Sequence, residues 1–380
     1  LINKPDKLLE DNLIVDGNEA FGWGFIKGGG NFYTAYPMTP ATGALHFLAA
    51  KQKEYDITVV HPEDEIAAAS MVAGAAFTGA RAATGTSGGG FALMNETISF
   101  CGIAELGTVF YLVSRPGPAT GMPTWTSQGD LMHAVYSGHG EFPKVVLAPS
   151  DHQESFEYSA LALNLAAGYQ LPVLVLSDKL LAESSANCPN FSKITLKNSP
   201  GSVLSDPDSA FRRYSLQTAN GVSALTLPGT AGGSFLANSY EHDEAGFATE
   251  DASMAASQAQ KRALKLTSIL PSLPVAEFIG SDKAEKLIIS WGSTKGVILE
   301  ALKSLPPEKY AYLHIKTVWP INPDLHFLID PFKDITVIEN NFGNPLVTLL
   351  KSQFNFNPGR LLNKFDGRPF FPEEIYDYLK

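Results

Sequence analysis

One glutamate stands where the sequence predicts an apolar helix face. Glu65 opens an alanine-rich stretch, and small apolar residues follow it at the three- and four-residue spacing of one helix face. These residues are Ala68, Ala69, Val72, Ala73 and Ala76. Pro62 fits a first helical position, and Glu63 and Asp64 fit a first turn whose charges complement the helix dipole. A carboxylate directed into an apolar face costs free energy unless it meets a polar ligand, so we expect Glu65 to share a proton with a bound ligand.

Two loops at predicted strand ends carry groups that suit a carboxylate ligand. Residues 36–40 read Tyr-Pro-Met-Thr-Pro, and the two prolines stop both strand and helix, so Thr39 is presented on a rigid loop. Arg115 follows the apolar run 109–113 and begins a loop, rich in proline and glycine, that extends to Asp130. Ligands bind at the carboxyl ends of strands in open α/β sheets, and a guanidinium there can hold a carboxylate through two hydrogen bonds. A surface salt bridge of Arg115 is the alternative.

A glycine-rich segment supplies a third part of the predicted site. Residues 86–90 read Thr-Ser-Gly-Gly-Gly, and they lie between a predicted strand at 81–84 and a predicted helix around Ala92. Glycines let a ligand come close to the backbone, and the amides at a helix start are free to donate hydrogen bonds. Ser87 and Gly88 are therefore candidate ligand contacts, although a tight turn would leave the same pattern.

The pattern along the chain predicts two α/β domains joined by a long arm. Over residues 1–190, near-continuous apolar strands alternate with helices of small residues, which indicates a parallel sheet buried on both faces. Glycine, serine, proline and asparagine dominate the following stretch, so we expect residues 191–269 to form an irregular arm that wraps a neighbouring subunit. Periodicity returns near residue 286 and predicts a smaller α/β domain over residues 270–380.

Composition narrows the classes of partner. A net charge of −11 disfavours nucleic acid and anionic membranes. Cys101 and Cys188 are the only cysteines of the sequence, and an iron–sulfur cluster needs about four thiolates. Two cysteines are therefore too few for a cluster held by this chain alone. They are also too few for a disulfide framework, which favours a cytoplasmic location. The sequence shows no signal peptide and no apolar run long enough to span a membrane.

Several of these segments together resemble the α subunit of 2-oxoacid:ferredoxin oxidoreductases. The order and spacing match in the segments 36–40, 64–76, 115–124, 128–130 and 241–244. The resemblance implies a pyrimidine-binding domain for thiamine diphosphate before the arm and an α/β domain like the transketolase C-terminal domain after it. It also implies the oxidative decarboxylation of a 2-oxo acid, with 2-oxoglutarate favoured, to an acyl-CoA, and the transfer of electrons to ferredoxin.

The resemblance also assigns roles by position. Glu65 would bond N1′ of the aminopyrimidine ring of thiamine diphosphate. Thr39 and Arg115 would hold the carboxylate and carbonyl region of the 2-oxo acid. The further candidate contacts of the cofactor are Pro37, Ser87 and Gly88. One position departs from the family, because many relatives place a basic residue where this chain has Trp125. The side-chain carboxylate of 2-oxoglutarate would then be held differently, or a substrate with such a carboxylate would not be preferred.

The other half of a thiamine diphosphate site is missing from the sequence. No Gly-Asp-Gly with a downstream Asn-Asn, which thiamine enzymes use for Mg²⁺ and the diphosphate, is found, and Asn340-Asn341 stands without it. We therefore predict no metal site on this chain. The resemblance implies that a β subunit brings Mg²⁺, the diphosphate ligands and at least one 4Fe–4S cluster. A γ domain or subunit, ferredoxin and coenzyme A are the further expected partners.

Two other functions stay open. The chain could be a subunit of a cluster-free thiamine diphosphate enzyme, such as a 2-oxoacid dehydrogenase or a transketolase-like half. It could also be a scaffold subunit that catalyses nothing. Thr39, Glu65 and Arg115 argue against a scaffold, because all three are present at the expected spacing.

Overall fold

A computed structural model describes residues 12–199 and 201–380, in which strands and helices alternate along most of the chain. The strands are β1 (Asn12–Asp16), β2 (Phe32–Thr34), β3 (Thr58–Val60), β4 (Ala82–Thr86), β5 (Thr108–Ser114), β6 (Val145–Leu147), β7 (Pro172–Asp178), β8 (Ser185–Pro189), β9 (Ala276–Ile279), β10 (Lys286–Trp291), β11 (Tyr310–Ile315), β12 (Thr317–Trp319), β13 (Asp334–Glu339) and β14 (Arg360–Asn363). The α-helices are α1 (Gly17–Lys27), α2 (Thr42–Tyr55), α3 (Glu65–Phe77), α4 (Gly88–Leu93), α5 (Asn95–Ile103), α6 (Leu131–Val135), α7 (His152–Tyr169), α8 (Lys179–Glu183), α9 (Ala252–Ile269), α10 (Thr294–Leu302), α11 (Leu325–Ile329), α12 (Pro345–Gln353) and α13 (Pro372–Leu379). In the described part of the chain, no helix has both the length and the apolar character needed to cross a membrane.

The larger sheet has seven strands in the order β12-β6-β7-β5-β4-β2-β3. Every neighbouring pair is parallel except β12 with β6. The whole lengths of β5 and β7 are buried. Along β5, Phe110 and Leu112 pack on the face covered by α3 to α6, whereas Tyr111 packs on the opposite face, under α1, α2 and α7. The predicted parallel sheet with two buried faces is therefore confirmed.

The smaller sheet has five strands in the order β14-β13-β10-β11-β9, and only β9 runs antiparallel to its neighbour. It forms the second α/β domain that the returning periodicity predicted. Leu112 of the larger sheet and Leu287 and Leu313 of the smaller sheet belong to one hydrophobic cluster, so the two domains share a core. In addition, β12 leaves the second domain and pairs with β6, with Thr317 opposite Leu147. The predicted limits at residues 190 and 270 stay predictions. The strand β12 lies beyond them in the sequence and yet forms an edge of the first domain's sheet.

The helix that carries the buried glutamate begins later than predicted. Asp64 is the N-cap of α3, and its Oδ1 accepts a hydrogen bond of 2.7 Å from the amide of Ala67. An extended aspartate in this position satisfies an amide that the helix itself cannot. Pro62 and Glu63 therefore lie before the helix, and the prediction that Pro62 takes the first helical position is wrong. The apolar face itself is confirmed, because Glu65 is buried together with all five small residues that follow it at helical spacing.

The last part of the predicted irregular arm is the regular helix α9. Its buried positions are mostly polar, namely Gln258, Lys261, Arg262, Lys265 and Ile269. An apolar stripe is the usual mark of a packed helix in a sequence, and the buried face of α9 is not such a stripe. Two of its lysines reach one buried carboxylate instead: Nζ of Lys261 and Nζ of Lys265 each lie 2.5 Å from an oxygen of Glu105. The expectation of irregular structure is therefore wrong for α9.

Glu105 is expected to contribute strongly to stability. Burial alone would raise the pKa of its carboxyl, but the ammonium groups of Lys265 and Lys261 hold that pKa well below its usual range. Glu105→Gln would leave two buried lysines without a counter-charge, so we expect it to lower the free energy of unfolding by about 3–5 kcal/mol. Chemical denaturation measures this loss. The control is Glu300→Gln, which breaks an exposed pair with Lys303 and should change stability little. Equal effects of the two substitutions would contradict a structural role for the buried cluster.

Candidate functional site

Glu65 and the glycine-rich segment form one site. The side chain of Glu65 is almost fully buried, with 4% of the residue exposed, and its Oε1 has no hydrogen-bond partner among the described residues. Gly90 makes room for this carboxylate: a Cβ at position 90 would lie 2.5 Å from Oε1 of Glu65 and 2.3 Å from Oγ1 of Thr86. A buried carboxylate oxygen without a partner costs free energy, which a bound donor would recover. The missing side chain at Gly90 therefore leaves the space that the Glu65 carboxylate occupies.

The loop of residues 36–40 reaches the same segment. Oγ1 of Thr86 lies 3.8 Å from the sulfur of Met38, at the distance of a weak hydrogen bond. Pro37 and Met38 are half-buried, while Thr39 is exposed. The predicted ligand loop and the glycine-rich segment thus meet at the carboxyl ends of the neighbouring strands β2 and β4.

Arg115 and Thr39 contact each other directly. Nη1 of Arg115 donates a hydrogen bond of 2.6 Å to the carbonyl oxygen of Thr39. The arginine is half-buried. Because its partner is a neutral carbonyl, this contact does not neutralise the positive charge of Arg115. The surface salt bridge that the sequence left open is not the contact observed. The guanidinium is held in place at the strand end and keeps donors for a further acceptor.

Ser87 and Gly88 belong to the same glycine-rich segment. Oγ of Ser87 is buried and has no hydrogen-bond partner among the described residues. Gly88 packs against Asp130, because a Cβ at position 88 would lie 2.8 Å from Oδ1 of that aspartate. Ser114, the last residue of β5, donates a hydrogen bond of 2.8 Å to Oδ2 of Asp130. Burial raises the pKa of Asp130 above its usual range. Sequence reasoning gave Asp130 and Ser114 no role, although Ser114 ends a buried strand directly before Arg115.

Gln128 fastens the loop that begins at Arg115 to the second domain. Its amide donates to the carbonyl of Asn340 at 2.7 Å, and its Oε1 accepts from the amide of Asn340 at 2.9 Å. Its Nε2 donates to the carbonyl of Trp291 at 2.8 Å, and Nδ2 of Asn341 donates to the carbonyl of Gln128 at 3.1 Å. The Asn-Asn pair thus holds a loop of the first domain. This contact could not be read from the sequence, because the partners are more than 200 positions apart.

Trp125 has a charged neighbour from the second domain. The guanidinium carbon of Arg368 lies 4.6 Å from the centre of the Trp125 ring. The adjacent backbone is joined as well, since the amide of Thr126 donates to the carbonyl of Gly367 at 2.9 Å. Trp125 stood out in the sequence as a departure from the family, whereas no sequence pattern pointed to Arg368.

Among the described residues, the acidic groups of the site do not form a metal centre. Across residues 12–199 and 201–380, no group of three or more His, Cys, Asp or Glu side chains is arranged to hold a metal ion. What the site does offer is a buried carboxylate oxygen without a donor, a glycine cradle and an anchored guanidinium. These features suit a ligand with a hydrogen-bonding ring on one side and a carboxylate on the other.

Comparison with known families agrees with this chemistry. The family described as "Pyruvate flavodoxin/ferredoxin oxidoreductase, thiamine diP-bdg" matches residues 24–261. The match includes every predicted site residue from Pro37 to Arg115, and it extends through the arm into α9. The chain belongs to this family, and its first domain is a thiamine-diphosphate-binding domain.

Curated relatives carry related names. The chain is 36% identical over 392 residues to the 2-oxoacid:ferredoxin oxidoreductase subunit alpha of Saccharolobus solfataricus, a match that covers 98% of this chain and 62% of the relative. It is 29% identical over 377 residues to the 2-oxoglutarate synthase subunit KorA of Methanothermobacter thermautotrophicus, covering 98% of this chain and 99% of the relative. The chain therefore spans less than two thirds of the first relative but nearly all of the second. The resemblance noted in the sequence is confirmed.

Two solved structures extend the comparison to the fold. The 2-oxoglutarate:ferredoxin oxidoreductase from Magnetococcus marinus, solved with 2-oxoglutarate, coenzyme A and succinyl-CoA bound, matches with a TM-score of 0.92 and 34% identity, over 97% of this chain and 65% of that chain. A split gene transketolase matches with a TM-score of 0.51 and 12% identity, over 92% of this chain and 88% of that chain, which shows a shared fold alone. The predicted fold class, a pyrimidine-type domain followed by a transketolase C-terminal-like domain, is confirmed.

Proposed function

We propose that this chain is the α subunit of a 2-oxoacid:ferredoxin oxidoreductase. With a β subunit it would catalyse the oxidative decarboxylation of a 2-oxo acid, 2-oxoglutarate being favoured, to an acyl-CoA, and electrons would pass to ferredoxin. The observation that carries the proposal is the buried, unpartnered Oε1 of Glu65 beside the Gly90 cradle. The Arg115–Thr39 contact stands on a loop that reaches the same glycine-rich segment.

The residues fit the pyrimidine half of thiamine diphosphate. Glu65 would hold a proton between its Oε1 and N1′ of the aminopyrimidine ring, which ends the cost of burying that oxygen without a partner. Pro37, Ser87 and Gly88 would line the cofactor, and the free Oγ of Ser87 offers one more hydrogen bond. When bound, thiamine diphosphate supplies the carbon nucleophile that the decarboxylation of a 2-oxo acid requires.

Arg115 and Thr39 would hold the 2-oxo acid. The guanidinium is already oriented by the Thr39 carbonyl, so little side-chain freedom is lost when a carboxylate binds. The loop from Arg115 to Asp130 is fastened at Gln128 by four hydrogen bonds to the second domain. A fixed loop of this kind keeps the carboxylate of the substrate in one orientation relative to the cofactor.

The remaining parts of the reaction would come from other chains or domains. Cys101 and Cys188 are both free and buried. Burial raises the pKa of the Cys101 thiol to about 12, so it is a poor source of the thiolate that an iron site needs. We therefore propose that a β subunit brings Mg²⁺, the diphosphate ligands and at least one 4Fe–4S cluster, and that ferredoxin, coenzyme A and a γ domain or subunit are further partners. We propose a cytoplasmic location for this complex.

Co-expression with the β subunit tests the proposed function. The purified complex should contain iron and should reduce a viologen dye only when a 2-oxo acid, coenzyme A and thiamine diphosphate are all present. An iron-free complex that still decarboxylates 2-oxo acids would instead identify a cluster-free thiamine enzyme. An iron-loaded complex that is inactive with every 2-oxo acid would contradict the proposal.

A further inference from the structure

Arg368 is an exposed cation fixed beside the loop that Arg115 begins. Its guanidinium lies over the ring of Trp125, with 4.6 Å from the guanidinium carbon to the ring centre. A flat guanidinium on an indole ring is attracted by the ring and keeps its N–H groups at the rim, where they can donate to another molecule. The whole chain carries a net charge of −11, so this cation beside the loop is a local exception to the overall charge.

The backbone around Arg368 is held on both sides. Its amide donates to Oδ1 of Asp366 at 2.9 Å, and its carbonyl accepts from Nδ2 of Asn340 at 3.1 Å. The backbone of Asn340 in turn forms two hydrogen bonds with Gln128: its carbonyl accepts from the Gln128 amide, and its amide donates to Oε1 of the Gln128 side chain. Arg368 is therefore linked through Asn340 to Gln128, on the loop that Arg115 begins, although it lies far from that loop in the sequence.

Met122 connects the two ends of this arrangement. Its amide donates a hydrogen bond of 3.0 Å to the carbonyl of Pro116, the residue after Arg115. Its terminal methyl packs against Gly367, the residue before Arg368, because a Cβ at position 367 would lie 2.6 Å from it. One residue, through its backbone amide and its side chain, thus contacts the neighbours of both arginines, so both cations border the same short loop.

The guanidinium of Arg368 has unused donors. The one hydrogen bond it makes among the described residues is from Nη1 to the carbonyl of Asp366, at 3.3 Å. It forms no ion pair with a carboxylate in residues 12–199 and 201–380. Five N–H groups with one long contact leave the planar fork available for a carboxylate.

We propose that Arg368, held on the ring of Trp125, binds the distal carboxylate of a dicarboxylic 2-oxo acid. This inference rests on the proposed function. Arg115 holds the 2-oxo acid end of the substrate, and Arg368 selects substrates that carry a second negative charge. Arg368 is a specificity-determining residue, since it takes no part in the bonds that change. A 2-oxo acid with a short apolar side chain gains nothing from it.

Arg368→Gln tests this selection in the complex with the β subunit. The amide keeps the size and some hydrogen bonding but removes the charge. We expect kcat/KM for 2-oxoglutarate to fall about tenfold or more, because a hydrogen bond between two charged groups is lost, while kcat/KM for pyruvate and 2-oxobutyrate stays within about twofold. The matched control is Arg360→Gln, which removes another arginine that lies 4.5 Å over an aromatic ring, that of Tyr378, on β14. It should leave the ratio between the substrates unchanged.

The outcomes separate this inference from the proposed function. A parallel fall for all three substrates, or no change for any of them, would overturn the role of Arg368 while leaving the enzyme class intact. A wild-type complex that uses pyruvate but not 2-oxoglutarate would also overturn it. A wild-type complex with no activity on any 2-oxo acid would contradict the proposed function itself.

Discussion

Glu65→Gln is expected to lower 2-oxo-acid-dependent viologen reduction by the complex with the β subunit at least ~100-fold, as expected when a proton-transfer group is removed. The carboxylate is buried with an unpartnered oxygen, and its proposed role is to share a proton with the cofactor. Glutamine fills the same space between Gly90 and the apolar face, but it cannot exchange a proton in the same way. Steady-state rates at saturating thiamine diphosphate measure the effect.

Folding should separate this chemical role from a structural one. Replacing a buried, unpaired carboxylate by a neutral amide does not destabilise the fold, so the midpoint of thermal unfolding should stay close to that of the wild type. The matched control is Glu63→Gln, two residues earlier and exposed, which should keep full activity. Near-normal dye reduction by Glu65→Gln would show that the assignment is wrong.

Arg115→Lys is expected to raise KM for the 2-oxo acid about tenfold or more and to leave the affinity for thiamine diphosphate nearly unchanged. Lysine keeps the charge but loses the planar fork that binds a carboxylate with two hydrogen bonds. It also loses the orientation that the Thr39 carbonyl gives to the guanidinium. Initial rates over a range of substrate concentrations, together with cofactor titration, measure the two affinities separately.

Arg81→Lys provides the control for this substitution. Arg81 also donates from Nη1 to a carbonyl, that of Ser199 at 2.7 Å, but it lies before the amino end of β4, away from the site. This control should change stability rather than KM. If Arg115→Lys weakened cofactor and substrate binding equally, Arg115 would be a structural arginine like Arg81.

Much of the site could be predicted from local patterns in the sequence. The five small residues after Glu65 predicted its buried face, and the paired prolines around Thr39 predicted a rigid loop at a strand end. The apolar strand before Arg115 placed that arginine at the same edge of the sheet. Each of these signals lies within a dozen residues of the group it positions, so a single sequence contains it.

The features that the sequence did not predict depend on distant contacts or on missing apolar periodicity. The sequence did not predict that α9 is a packed helix, because its buried face contains lysines. These lysines form ion pairs with Glu105 where other packed helices have apolar contacts. Arg368 lies over the ring of Trp125, and Gln128 donates a hydrogen bond to the carbonyl of Trp291. More than 160 positions of the chain separate the two partners in each case. No local pattern marks such pairs. The late start of α3 is a different case, since Asp64 could have been recognised as an N-cap residue.

Calorimetry with thiamine diphosphate and Mg²⁺ tests most directly the claim that this chain holds half of a shared site. In the proposed site Glu65 and the glycine-rich segment would contact the pyrimidine ring, whereas the described residues offer no acidic metal cluster for Mg²⁺ and the diphosphate. We expect no Mg²⁺-dependent binding by the isolated chain and clear Mg²⁺-dependent binding by its complex with the β subunit. A micromolar, Mg²⁺-dependent site on the isolated chain would contradict it.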